Sequence, residues 1–131
     1  MIIDKKILDD LSVQAKANPR LRQSYDLRTT PEDKSQRMLN ALEPGTILPI
    51  HRHTKSTETL VMVRGKLREH FYNDNGEVIE SIILETGGET SMLQIPVGQW
   101  HSLEVLEEGT VIFEAKDGAY EQLNDNDIIQ K

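Results

Sequence analysis

The sequence predicts an all-β domain, a sandwich or barrel, behind one short N-terminal helix. Three observations predict it. Short apolar-rich segments recur along the chain with turn residues between them. Only the first segment carries a helical period. Aromatic residues are 5% of the chain, so the core rests on Ile, Leu and Val, which suit pleated sheets.

The helix comes first. Asp4 is a plausible N-cap, Ile7, Leu8, Leu11 and Ala15 fall on one helical face, and Asn18-Pro19 stops the run. Residues 20–35 read as an extended arm or loop punctuated by Thr30-Pro31. Strands are expected over 36–43, 59–64, 67–72, 78–84, 92–95, 101–106 and 110–115. Glu43-Pro44-Gly45, Gly65-Lys66 and Gly87-Gly88 separate some of them. Asn73-Asp74-Asn75-Gly76 is a hairpin turn, because Asn and Gly accept positive φ. The acidic, irregular last fifteen or so residues read as a strand-like tail or a dimer arm. The expected division is 1–35 for helix and arm and 36–131 for the β-barrel, within one structural unit.

Lys and Arg number 15 against 22 Asp and Glu, a net charge of −7, which argues against a general nucleic-acid footprint. Residues 16–37 run the other way, with six basic side chains against three acidic ones. Such a stretch is either a solvated face or a basic lip that recruits an anionic small molecule. The absence of cysteine excludes disulfides and thiolate metal ligands. Charged residues stand at the N-terminus, and no apolar run approaches the roughly 20 residues of a membrane helix, so a soluble cytoplasmic protein is expected.

The chemistry gathers at four positions. In a strand, His51 and His53 point the same way, about 7 Å apart at the backbone, and two imidazoles so placed can meet one ion. His-x-His alone fits two exposed loop histidines equally well. Glu58 opens an apolar strand, where a buried carboxylate needs a partner or a metal. His101 follows Pro96-Val97-Gly98-Gln99-Trp100, a tight turn able to aim a strand end into a barrel mouth. Singly, Glu58 reads as a surface strand residue and His101 as a hydrogen-bonded core histidine. Their spacing overturns those readings: Gly45, His51, His53, Glu58 and Gly65 match the first cupin motif at every fixed position, and Pro96-x-Gly98-x-x-His101 matches the heart of the second.

On these motifs the chain resembles the cupin superfamily. In finer detail it resembles the WbuC-type cupin-fold metalloproteins, through the N-terminal helix, Asn18-Pro19-Arg20, and Gln36-Arg37-Met38-Leu39-Asn40-Ala41 leading into Glu43-Pro44-Gly45-Thr46. Thr90 stands where the second motif usually opens with Gly, and Val105 where it often closes with Asn; neither position is a metal ligand in that superfamily. The resemblance implies a double-stranded β-helix, the cupin jelly roll. It implies that His51, His53, Glu58 and His101 hold one divalent transition metal: zinc, iron, nickel or manganese. Four protein ligands leave coordination positions open, as in catalytic sites.

Around that set, Trp100 is expected on the opposite face as core packing, and His70 on a polar face with Arg68 and Tyr72. Candidate substrate-binding residues are Arg20, Arg22, Tyr25 and Arg37, since arginine forks hold carboxylates and phosphates, with Gln94 and Met62 as possible barrel lining. Solvation is the competing reading for each arginine. The resemblance suggests surface-polysaccharide biosynthesis and a sugar or nucleotide-sugar isomerase, epimerase or hydrolase, with no catalytic residue assigned. The alternatives are an Fe(II)-dependent oxygenase and a non-catalytic sugar-binding module. A small-molecule ligand, no nucleic acid, no membrane, and a homodimer formed through sheet edges complete the expectations.

Overall fold

A computed structural model of the chain describes residues 1–118 and 120–129. In order along the chain the elements are α1 (Lys5–Ala17), β1 (Arg22–Asp26), β2 (Ser35–Leu42), β3 (Ile50–His51), β4 (Glu58–Arg64), β5 (Lys66–Tyr72), β6 (Val78–Glu85), β7 (Met92–Ile95), β8 (Trp100–Val105), β9 (Thr110–Asp117), a 3-10 turn (Asp125–Asp127) and β10 (Ile128–Ile129). Two five-stranded antiparallel sheets result, β1-β2-β9-β4-β7 and β10-β3-β8-β5-β6. Facing each other, they form the jelly roll that the motifs imply.

The helix begins where its first free N–H groups find an acceptor: the Asp4 carboxylate takes the Ile7 amide hydrogen at 3.1 Å. It ends at Asn18, whose N–H still reaches the Gln14 and Ala15 carbonyls. Leu11 and Ala15 pack with Leu39, Ala41 and Val111 on the outer face of the first sheet. That sheet is therefore covered on both sides. Between the sheets lies a second cluster, Leu42, Leu60, Met62, Leu67, Leu84, Val105 and Ile112. This cluster fills one end of the barrel, and the other end is polar.

Several segments depart from the expectations. Residues 22–26, read as part of an arm, form β1 and pair in register with β2 from Arg22↔Leu42 to Asp26↔Met38. Leu21 enters that strand at φ 57. The tail pairs inside its own chain: Ile128 and Ile129 extend β3, Arg52 N–H donates to the Asp127 carbonyl at 3.1 Å, and the Arg52 guanidinium meets the Asp127 carboxylate at 3.3 Å. Trp100 is buried, but outside the sheet-to-sheet core: its indole N–H donates to Asp74 Oδ1 at 3.0 Å and the Arg52 guanidinium lies 4.4 Å above its ring. Met62 does face the core, as expected. His70 stays on a polar face, 2.7 Å from the Ser81 hydroxyl.

Candidate metal centre

Strand registers bring the site together. Across the first sheet, Gln36, Lys116, Glu58 and Ile95 stand directly opposite one another, so their side chains share a face. Across the second, Phe71, His101 and His51 do the same. The two rows confront each other at the polar end of the barrel. His53 arrives differently. Strand β3 ends at His51, and His53 sits in the loop beyond, where its carbonyl accepts the Gly98 N–H at 2.8 Å. Gly98 has φ 82, so the tight turn of the second motif also fixes the last histidine of the first.

The three imidazoles converge. Ring centroids lie 4.2 Å apart for His51–His101, 5.2 Å for His51–His53 and 5.5 Å for His53–His101. One nitrogen from each lies within 4.8 Å of the others, the arrangement a single ion needs. Glu58, 3% exposed, reaches the same point, with Oε1 3.5 Å from His53 Nε2 and Oε2 3.8 Å from His101 Nε2.

Hydrogen bonding sets the tautomers. Nδ1 of His51 lies 2.9 Å from the Pro49 carbonyl and Nδ1 of His101 lies 3.0 Å from the Gln99 carbonyl. A carbonyl only accepts, so each Nδ1 carries the proton and each Nε2 presents its lone pair inward. His53 Nε2 lies 3.5 Å from the Lys116 ammonium, which only donates, and 3.5 Å from Glu58 Oε1, which only accepts. Burial lowers all three histidine pKa values to about 4, and neighbouring positive charge adds to the effect. The neutral, Nε2-accepting imidazole is the form that binds a metal. His101 Nε2 is buried with no hydrogen-bond partner. An orphaned acceptor so placed costs about 1–3 kcal/mol, which a cation would relieve. These donors fit a first-row divalent ion.

The interior holds two carboxyls that sequence reading passed over. Glu69 is fully buried, and neither of its oxygens has a hydrogen-bond partner. Glu114 lies against Glu58 and accepts from Asn40 Nδ2 at 2.7 Å. Both line a cavity of about 120 Å³ together with His51, Glu58 and His101. Their signal in the sequence was parity. Glu69 is in step with the buried Leu67 and Phe71, and Glu114 with the buried Ile112. Lys116, in step with Glu114, was missed for the same reason.

Most of the candidate substrate residues lie elsewhere. Arg37 belongs to the face of β2 that carries Leu39 and Ala41, on the helix side, and pairs with Asp33 at 2.8 Å. Tyr25 packs in the same outer cluster. Arg22 donates to the Ile47 carbonyl at 2.8 Å, and the Arg20 carbonyl accepts from the Thr46 hydroxyl at 2.7 Å. Gln94 sits opposite Thr59 on the outward face of β7 and donates to its hydroxyl at 3.2 Å. For Arg37 the reason is that β2 buries residues on both faces, so alternation alone could not say which face met the barrel.

Buried acids and buried bases pull metal-free stability in opposite directions. Burial, then the neighbouring Glu58 charge, raises Glu114 to about 8 and Glu69 well above its ordinary value of 4.5. Folded protein holds those protons more tightly than unfolded chain, so that stability is present below pH 4.5 and lost as pH rises, through about 8 for Glu114. The histidines, lowered from 6.5 to about 4, contribute stability present above pH 6.5 and lost as pH falls through about 4. Thermal unfolding of chelator-treated protein is expected to show greatest stability near pH 6–7, with an alkaline decline that Glu69→Met reduces. An alkaline limb unchanged in that variant would remove Glu69 from the account.

The family described as a domain of unknown function, DUF6016, matches residues 3–84. The chain belongs to this family. No curated protein matches it. Among solved structures, this DUF6016 chain is similar to KdgF from Halomonas sp., with a TM-score of 0.61 and 15% identity over 77% of this chain and 82% of that one. Bacillus subtilis oxalate decarboxylase OxdC, a protein with Mn(II) centres, aligns with a TM-score of 0.57 and 23% identity over 75% of this chain and 25% of its own. CapF, solved with the inhibitor 3-isopropenyl-tropolone, aligns with a TM-score of 0.60 and 26% identity over 79% of this chain and 29% of its own. The DUF6016 chain thus spans only about a quarter of the oxalate decarboxylase and 29% of CapF. These likenesses establish the fold as a cupin jelly roll.

Proposed function

We propose that this chain is a mononuclear metal-binding cupin whose ligands are His51, His53, Glu58 and His101, and that it is an enzyme acting on a small, oxygen-rich substrate. The observation that carries the reading is the inward convergence of three imidazoles, with Nε2 of His51 and His101 held as acceptors. A divalent ion held there supplies Lewis acidity toward a substrate oxygen. The chain's own groups do the rest. Glu58 adds the charge that the imidazoles lack. The Pro49 and Gln99 carbonyls hold the ring orientations of His51 and His101. The apolar cluster beneath the site keeps bulk water out of that end of the barrel.

The metal, among zinc, iron, nickel and manganese, is not fixed by this ligand set. A cavity of about 220 Å³ opens beside His53 and Lys116, which suits the sugar group of a sugar or nucleotide-sugar. A sugar isomerase, epimerase or hydrolase in surface-polysaccharide biosynthesis is our reading of the setting, and it rests on the WbuC-type resemblance of the sequence. We further infer that helix, arm and barrel act as one unit, and that the protein is a cytoplasmic homodimer. Edge strand β6, with Val78, Ile79 and Ile83 exposed, offers a surface for such pairing. No helix among the described residues is long and apolar enough to cross a membrane.

Elemental analysis of wild type beside His53→Ala tests the reading. About one equivalent of a transition metal in the wild type, lost in the variant, is the expected result. Failure to take up any metal on reloading would sink the proposal. Uptake with tight sugar binding but no turnover would leave a binding module.

A further inference from the structure

The cation nearest the ligand set is Lys116. Its ammonium is 3.7 Å from Glu58 Oε1 and 3.5 Å from His53 Nε2, and its side chain is 12% exposed. It has the charge of a cation and touches two of the groups that a metal would use. The same side chain borders the mouth cavity of about 220 Å³, alongside Gln36, Thr54 and Ser56. The other two cations on that cavity have carboxylates of their own: Arg52 meets Asp127 at 3.3 Å and Lys55 meets Glu121 at 3.3 Å. The carboxylate of Lys116 is Glu58. Asp117 also lines that cavity, and Glu121 and Asp127 do so while paired with Lys55 and Arg52. Once the charge of Glu58 is committed to a divalent ion, Lys116 faces the cavity without its close carboxylate partner.

We propose that Lys116 is the substrate-anion anchor of this site, competing with the metal while the site is metal-free and holding the carboxylate of a small 2-hydroxycarboxylate beside the bound metal. The inference rests on the metal reading above and deepens it by naming a substrate class. A 2-hydroxycarboxylate offers an anion for the ammonium, a second oxygen for an open coordination position, and further hydroxyls for Gln36, Thr54 and Ser56. A neutral polyol offers only the last two. The interaction asks nothing of Lys116 but its positive charge and its place opposite Glu58 in the strand register.

Calorimetry tests both halves. Zinc(II) affinity is measured by chelator competition on wild type and on Lys116→Met, which keeps most of the side-chain length without the charge. Each zinc-loaded protein is then titrated with glycolate, L-malate and D-gluconate, and with D-glucitol as the neutral control. Removing the competing cation is expected to tighten zinc binding about tenfold, while the loaded variant binds the best carboxylate about tenfold more weakly. Lys116→Arg is expected to restore carboxylate binding, and D-glucitol to bind neither protein. A merely structural lysine would not move these two affinities in opposite directions. If Lys116→Met does not fold, Lys116→Gln takes its place. One equivalent of zinc in both proteins with both affinities unchanged overturns this inference and leaves the metal reading intact. So does a loaded wild type that binds no carboxylate. A wild type that takes up no metal overturns the metal reading, and this one with it.

Discussion

His101→Ala is expected to fold and to lose the whole gain in stability that divalent metal gives the wild type. His101 sits at the centre of the second sheet's row, 3% exposed, with Nδ1 fixed by the Gln99 carbonyl and Nε2 without a partner. Truncation removes packing, which costs stability, and removes an orphaned buried acceptor, which returns about 1–3 kcal/mol. The two offset, so metal-free wild type and variant should unfold within a few degrees of each other. Metal separates them. An ion that binds only the folded state stabilises it by about 2.7 kcal/mol at 100 times its Kd, roughly 10 °C in Tm for a chain of this size. Differential scanning fluorimetry against zinc, manganese and nickel reads the difference directly. A variant that keeps the wild-type metal shift would show that the ion binds elsewhere.

Gly65→Ala is expected to destabilise the fold by roughly 3–5 kcal/mol, much of the stability of an ordinary domain. Two costs add. Gly65 has φ 91, where an L side chain is strained. A Cβ built there would also stand 2.7 Å from the Thr110 Cα, too close for any side-chain adjustment to relieve. Thr110 cannot retreat, because it is fully buried and its hydroxyl donates to the Glu107 carbonyl at 2.8 Å. Gly87→Ala is the control. Its φ is 75, yet nothing lies within 4 Å of its added Cβ, so only the backbone cost of about 1–2 kcal/mol remains. Urea unfolding of both variants separates strain from collision, and equal losses would remove the Thr110 contact from the explanation.

A large part of this molecule is legible from residue order. Asp4 and Asn18 bound the helix as its capping chemistry requires. Met92–Ile95 forms a strand at the expected residues, and the others fall close to theirs. His51, His53, Glu58 and His101 could be singled out because motif spacing encodes register: the residues between them are those needed to return each strand to the same end of the barrel.

What only the tertiary structure decided concerns sides and depth. Strand periodicity shows that residues alternate, and it names the inner face only when the outer one is wet. Helix α1 covers the outside of the first sheet, so β2 buries both Leu39 and Leu42, and alternation alone could not place Arg37 on either face. Glu69, Glu114 and Lys116 presented the converse case, charged residues in an inward register that a list of strands treats as solvated. Pairing across the sheets turned them into the inner wall of the site. The folding back of Ile128 and Ile129 onto β3 was likewise beyond sequence, because a two-residue strand carries no period of its own and exists only through the partner it finds.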